Sequence, residues 1–154
     1  MTHLKPGDIA PNFVAKDQNG AEIKLSDYTD KKLILYFYPK DNTSGCTAEA
    51  CNLRDGYEEL SQLGIDVVGV SPDSETSHQN FIKKFGLQFP LVSDIDKNVS
   101  QLYGVWGEKQ MYGKTYMGIN RTTFLIEKGK IVEVFTKVKT NDHVNQILSS
   151  LSKK

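Results

Sequence analysis

Apolar residues run almost unbroken through Leu33-Ile-Leu-Tyr-Phe-Tyr38 and again through Ile65-Asp-Val-Val-Gly-Val70. Such runs mark strands covered on both faces, which places them at the centre of a sheet. Between them the period changes. Cys46, Ala50, Leu53, Tyr57 and Leu60 recur at helical spacing, and Gly64 follows. One long helix, apolar stripe inward and ended by Gly64, is predicted, so the segment forms a strand, helix, parallel strand unit.

The alternation then repeats. After Asp73, an expected N-cap, His78, Phe81, Ile82 and Phe85 share a helical stripe that stops at Gly86. Leu91-Val92 reads as a short strand, and Val99, Leu102 and Tyr103 as one face of a short helix. Residues 122–127 and 130–137 flank Lys128-Gly129 as a hairpin, and residues 12–16 and 21–24 do so around Asn19-Gly20. Val144, Ile147, Leu148 and Leu151 supply a last amphipathic helix. Between Gly104 and Asn120, the glycines with Trp106, Tyr112 and Tyr116 suggest a long aromatic loop, packed on the core, walling a pocket or forming a docking face. The pattern predicts an α/β fold, compatible with a thioredoxin-like sandwich among others.

Composition narrows the partners. At 154 residues and 38% hydrophobic, the chain has the size and apolar content of one domain spanning 1–154. Nineteen basic residues balance nineteen acidic ones, so no basic field points to nucleic acid or an anionic membrane. The N-terminus has no apolar stretch of signal-peptide length, and the run from Leu33 to Tyr38 is too short to span a bilayer. A cytoplasmic protein is expected, with loose tails at the first few residues and at the two terminal lysines. In that reducing setting the only two cysteines, Cys46 and Cys51, point to a catalytic, redox-sensing or metal-binding pair rather than a permanent bridge.

Cys46 follows the turn-forming run PKDNTSG, at the start of the predicted helix. Unpaired N–H groups and the helix dipole favour negative charge there. Cysteines so placed near a cation have pKa values of about 3.5 to 7.5, against about 8.5 when free, and the thiolate is the nucleophile. Metal binding is the weaker reading, since His3, His78 and His143 are scattered and form no chelating pair. His78 is expected at the core boundary, His143 in the first turn of the last helix and His3 in a tail. No GxGxxG fingerprint, P-loop or haem-attachment motif occurs, so no cofactor is expected.

Pro39, Thr43 and Cys46 stand in a PxxxTxxC pattern, and Arg121 opens the run RTTFLIEKGKI. With Gly7-Asp-Ile-Ala-Pro-Asn-Phe13, Gly69-Val-Ser-Pro-Asp73, Phe89-Pro-Leu-Val-Ser-Asp94 and Tyr103-Gly-Val-Trp-Gly107, these segments resemble the peroxiredoxins over nearly the whole chain. A second cysteine five residues after the first is similar to the Q-type subfamily, the bacterioferritin comigratory proteins.

That resemblance implies a thioredoxin-like fold, with a central mixed sheet flanked by helices on both faces. It implies a thiol peroxidase that reduces hydrogen peroxide and alkyl hydroperoxides. Cys46 would be the nucleophile, Arg121 the cation beside its sulfur, Thr43 the hydroxyl that orients the peroxide, and Pro39 the shield against water. Cys51 would resolve the Cys46 sulfenic acid as a disulfide, and thioredoxin would reduce that bond. In an unbroken helix these two Cα atoms lie roughly 8 to 9 Å apart, beyond the ~7 Å a disulfide tolerates, so the helix would have to unwind. A resolver within one subunit makes a monomer sufficient. The competing expectation is a non-catalytic peroxide sensor or interaction module. A dithiol-disulfide oxidoreductase is disfavoured, because four residues rather than two separate the cysteines.

Overall fold

The computed structural model describes residues 2–152. Its main sheet has five strands in the order β5-β4-β3-β8-β9. β3 (Lys32–Phe37), β4 (Ile65–Ser71) and β5 (Leu91–Ser93) run parallel, while β8 (Thr122–Glu127) pairs antiparallel with β3, and β9 (Lys130–Phe135) with β8. Both apolar runs are buried except at the half-buried Asp66, with β3 at the centre of the sheet and β4 beside it. The second strand of the 122–127 hairpin ends at Phe135, two residues earlier than expected.

Alternation along β3 builds two cores. Leu33, Leu35 and Phe37 pack with Val68, Val70, Tyr103 and Phe124 on one face. Ile34, Tyr36 and Tyr38 pack with Cys46, Ala50, Leu53, Phe81 and Ile147 on the other. The second face is covered by α1 (Ser44–Asp55), α3 (Glu75–Phe85) and α5 (His143–Ser152). Val99 of α4 (Asn98–Leu102) joins the first core, as does Ile23 of the hairpin formed by β1 (Val14–Lys16) and β2 (Glu22–Lys24). Gly86 ends α3 in the left-handed region at φ 62°, a conformation that favours glycine.

Several local expectations are corrected. The long helix is interrupted at Gly56, which divides it into α1 and α2 (Tyr57–Gln62), and Gly56 packs closely on Val144 of α5. A Cβ there would come within 2.7 Å of both Val144 methyl carbons. Ser74, not Asp73, caps α3 by accepting from Ser77 N. Leu102 is largely exposed, so only Val99 and Tyr103 of the expected trio face inward. The aromatic loop is a two-stranded ribbon of β6 (Trp106–Met111) and β7 (Lys114–Ile119), turned at Tyr112 and Gly113, both with positive φ. The N-terminal tail is tied down, since Thr2 Oγ1 donates to Tyr103 O at 2.6 Å. Lys153 and Lys154 lie outside the described residues.

Candidate active site

The β3–α1 connection carries Pro39, Thr43 and Cys46 to the carboxyl end of the central strand. Two buried groups pin it. Tyr38 Oη donates to Asp41 Oδ1 at 2.6 Å, and Asp41 N donates to Asp73 Oδ2 at 2.7 Å. Asn42 then takes φ 60°, a left-handed conformation that asparagine tolerates, and Thr43 returns to extended backbone as the N-cap of α1. The Thr43 hydroxyl does not cap the helix. It donates to Lys40 O at 3.0 Å and remains exposed, with its lone pairs available.

Cys46 lies in the first turn of α1 and is only 2% exposed. Arg121 reaches it from the residue before β8, and Nη2 donates to Sγ at 3.3 Å. Gly45 permits the approach, because a Cβ there would stand 3.2 Å from that same nitrogen. The other arm of the fork, Nη1, donates to Glu49 Oε1 at 2.7 Å. One planar guanidinium therefore bridges the sulfur and a carboxyl group, an arrangement a lysine ammonium reproduces poorly. Burial works against the charge on Arg121, but Glu49 and Cys46 outweigh it and raise its pKa above the ordinary arginine value.

Glu49 is fully buried, and burial pushes its pKa up to about 7 while Arg121 pulls the other way. His143 of α5 stands behind it, with Nε2 3.7 Å from Glu49 Oε2, and burial lowers its pKa. A second cation, Lys109 of β6, feels both Arg121 and Cys46; burial lowers its pKa, and its Nζ donates to Ile119 O at 2.8 Å. Pro39 lines a surface cleft of about 430 Å³ that Trp106 and Tyr116 of the ribbon also line.

Cys51 lies on the same helix as Cys46, is half-buried, and both cysteines are free thiols. The helix between them is unbroken. His78 is not a boundary residue: it is fully buried, with Nδ1 2.7 Å from Asp41 Oδ2 and Nε2 2.9 Å from Val92 O. With Asp73 it forms the one acidic-histidine cluster of metal-binding spacing among the described residues. Its ligand atoms are already spent on protein partners, Asp73 Oδ2 on Asp41 N and Ser71 Oγ, and Asp41 Oδ2 on Ser77 Oγ and His78.

Sequence reasoning missed Glu49 and the role of Asp41. Glu49 was visible as an acid on the inner stripe of α1, next to Ala50. An acid at such a position demands a buried partner.

A five-stranded mixed sheet with helices on both faces and a helix-start cysteine beside an arginine is the thioredoxin-like arrangement of a peroxiredoxin. Residues 6–135 match the model of the AhpC/TSA family, so the chain belongs to that family. It is 47% identical to the peroxiredoxin Bcp of Escherichia coli (strain K12) over 152 residues, covering 98% of this chain and 97% of that one. A crystal structure of a Xylella fastidiosa PrxQ mutant superposes with a TM-score of 0.91 at 38% identity, covering 99% of this chain and 98% of that one. The Xanthomonas campestris bacterioferritin comigratory protein, studied for its alkyl peroxide reduction activity through trapped intermediate and ligand complexes, gives 0.85 at 38% identity, covering 92% and 90%.

Proposed function

We propose that this chain is a thiol-dependent peroxidase acting on hydrogen peroxide and alkyl hydroperoxides, with Cys46 as its nucleophile. The observation that carries the reading is the Arg121 N–H aimed at Cys46 Sγ at 3.3 Å, a charge-assisted donor fixed on the sulfur of a helix-start cysteine. The alkyl peroxide reduction activity of the similar Xanthomonas campestris protein supports the substrate class.

The Cys46 thiolate attacks the hydroxyl oxygen of ROOH, the O–O bond breaks, and one proton taken up by the departing alkoxide gives ROH and Cys46 sulfenic acid. Thr43, whose hydrogen is committed to Lys40 O, accepts the O–H of the peroxide and so orients it. Arg121 neutralises charge that moves from sulfur to oxygen, and Pro39 keeps water from the sulfur. The sulfenic acid then condenses with the Cys51 thiol, releasing water and forming a disulfide. An external dithiol, thioredoxin, returns both thiols by exchange. Because α1 is helical from Cys46 to Cys51, the disulfide requires that segment to unwind. No second subunit is needed, and the cycle suits a monomer in a reducing cytoplasm. Among the described residues no helix is long and apolar enough to cross a membrane.

Coupled peroxide consumption with thioredoxin and its reductase tests the assignment. Cys46→Ser should lose essentially all turnover. Cys51→Ser should consume about one equivalent of peroxide and then stall. Full turnover by Cys46→Ser would overturn the reading, and stoichiometric consumption by the parent would make the protein a sensor instead.

A further inference from the structure

Glu49 sits inside the stretch that must unwind, three residues after Cys46 and two before Cys51. Its Oε1 is held by Arg121, but Oε2 is buried with no hydrogen-bond partner among the described residues. His143 Nε2, equally buried, lies 3.7 Å from that oxygen.

The contacts of His143 fix where its hydrogen lies. Gln146 Oε1 accepts from Lys139 N and Gln146 Nε2 donates to Lys137 O, which sets the amide orientation. His143 Nδ1 is 2.9 Å from that Oε1, so Nδ1 is the donor. In a neutral ring Nε2 is then a lone pair, accepting from Thr123 Oγ1 at 2.9 Å and facing Glu49 Oε2. That lone pair is taken by Thr123, so Glu49 Oε2 faces an acceptor at 3.7 Å and meets no donor, and a buried carboxyl oxygen so placed calls for a proton of its own.

We propose that Glu49, facing His143, keeps a proton where α1 meets α5, and that this proton is a latch on α1. With it the helix stays closed. Without it a bare carboxylate is buried at the hinge, and the segment from Cys46 to Cys51 opens more readily. His143 touches no reacting atom and acts as a positioning residue for Glu49. The consequence for turnover rests on the peroxidase reading: loss of the proton speeds disulfide formation, and its retention prolongs the sulfenic acid and its exposure to further oxidation.

The pKa directions agree with the geometry. Burial raises Glu49 from 4.5 to about 7 against the pull of Arg121, and burial lowers His143, so the proton belongs to Glu49 and not to the imidazole. The other groups facing this site are Tyr36 from β3, Cys46 on α1 and Arg121 ahead of β8. Tyr36 is pushed far up by burial, and Arg121 is raised, so neither titrates near neutrality. On opening, Glu49 meets water and returns to an ordinary carboxyl. The closed helix therefore binds more protons between about pH 4.5 and 7; its extra stability is fully present below that window and is lost as pH rises through it. His143, once exposed, gains a proton below about pH 6.5 and opposes the trend there, so the range above about 6.5 is the informative one.

The test uses Cys46→Ser protein, in which no reactive sulfur stands beside Arg121 and no activity is required. Amide exchange of residues 46–51, corrected for the intrinsic pH dependence, should show the opening constant rising about fourfold between about pH 6.5 and 8. Adding Glu49→Gln, neutral at every pH, should abolish that rise. A flat profile in the single variant, or an unchanged rise in the double variant, overturns the proposal. Should the double variant not fold, carbon-detected titration of Glu49 in the single variant decides: a midpoint near 7 supports the latch, and one near 4.5 sinks it. None of these outcomes bears on whether Cys46 reduces peroxide.

Discussion

Asp41 and His78 form a buried pair beneath the active-site loop, Oδ2 to Nδ1 at 2.7 Å, with side chains 4% and 0% exposed. Val92 O only accepts, so His78 Nε2 donates to it, and Nδ1 faces the Asp41 carboxyl. The pair ties α3 to the turn that places Thr43 and Cys46, since the same Asp41 also anchors Tyr38 and Ser77.

Removing one member of such a pair leaves the other buried and uncompensated, which costs about 3–5 kcal/mol. His78→Phe, which keeps an aromatic ring of similar bulk, should therefore lower the melting temperature by roughly 10 °C for a chain of this size. Thermal unfolding followed by circular dichroism measures it. A shift of only about a degree would mean the pair contributes little.

Arg121 has two tasks, and a substitution separates them. Arg121→Lys keeps a positive charge but cannot reach Cys46 Sγ and Glu49 Oε1 together in one plane. Loss of a preorganised donor at the reacting centre lowers kcat/KM by about 10²–10³-fold. We expect that loss with the lysine variant still folded, whereas Arg121→Ala should also melt earlier because Glu49 loses its partner. Peroxide kinetics beside melting curves check both, and near-parent kcat/KM in Arg121→Lys would remove the fork from the mechanism.

The elements with the clearest period were the ones sequence alone located: the two central strands, the α3 stripe ending at Gly86 and the turn at Lys128-Gly129. Each is set by neighbours a few residues away. The close packing at Gly56 was hidden because its partner, Val144, is a distant residue. The ribbon of β6 and β7 was hidden too, since β7 is exposed along most of its length and shows no alternation. The Cys46–Arg121 contact spans 75 residues of sequence, and only the likeness to a family suggested it. Glu49 and His143 each appeared as one polar residue on an apolar helix face, and nothing local said they would meet.

Gly56 offers a direct check on that packing. A methyl group placed there meets the two Val144 methyl carbons at 2.7 Å, so α5 or the α1–α2 junction must shift. Overpacking of this kind costs about 1–3 kcal/mol, and outweighs the gain alanine normally brings to a helical backbone. Gly56→Ala should be destabilised in chemical denaturation, and the companion change Val144→Ala should restore part of the loss. Gly56→Ala more stable than the parent would show that α5 yields freely at this contact.

Thr43 gives the sharpest test of how substrate is held. Its hydroxyl hydrogen goes to Lys40 O at 3.0 Å, which leaves only acceptor lone pairs for the peroxide. Thr43→Val matches the shape but removes both functions, whereas Thr43→Ser keeps them. The valine variant should lose about 10²-fold in kcat/KM, the scale of one lost polar contact to the reacting group, while serine stays within a few-fold. Fold stability should change little in either, because Thr43 is exposed and caps nothing through its side chain. Stopped-flow oxidation of reduced protein by hydrogen peroxide isolates this step from recycling. Equal second-order rates for valine and serine would show that the hydroxyl does not touch the substrate, leaving Arg121 and the helix-start N–H groups to orient it alone.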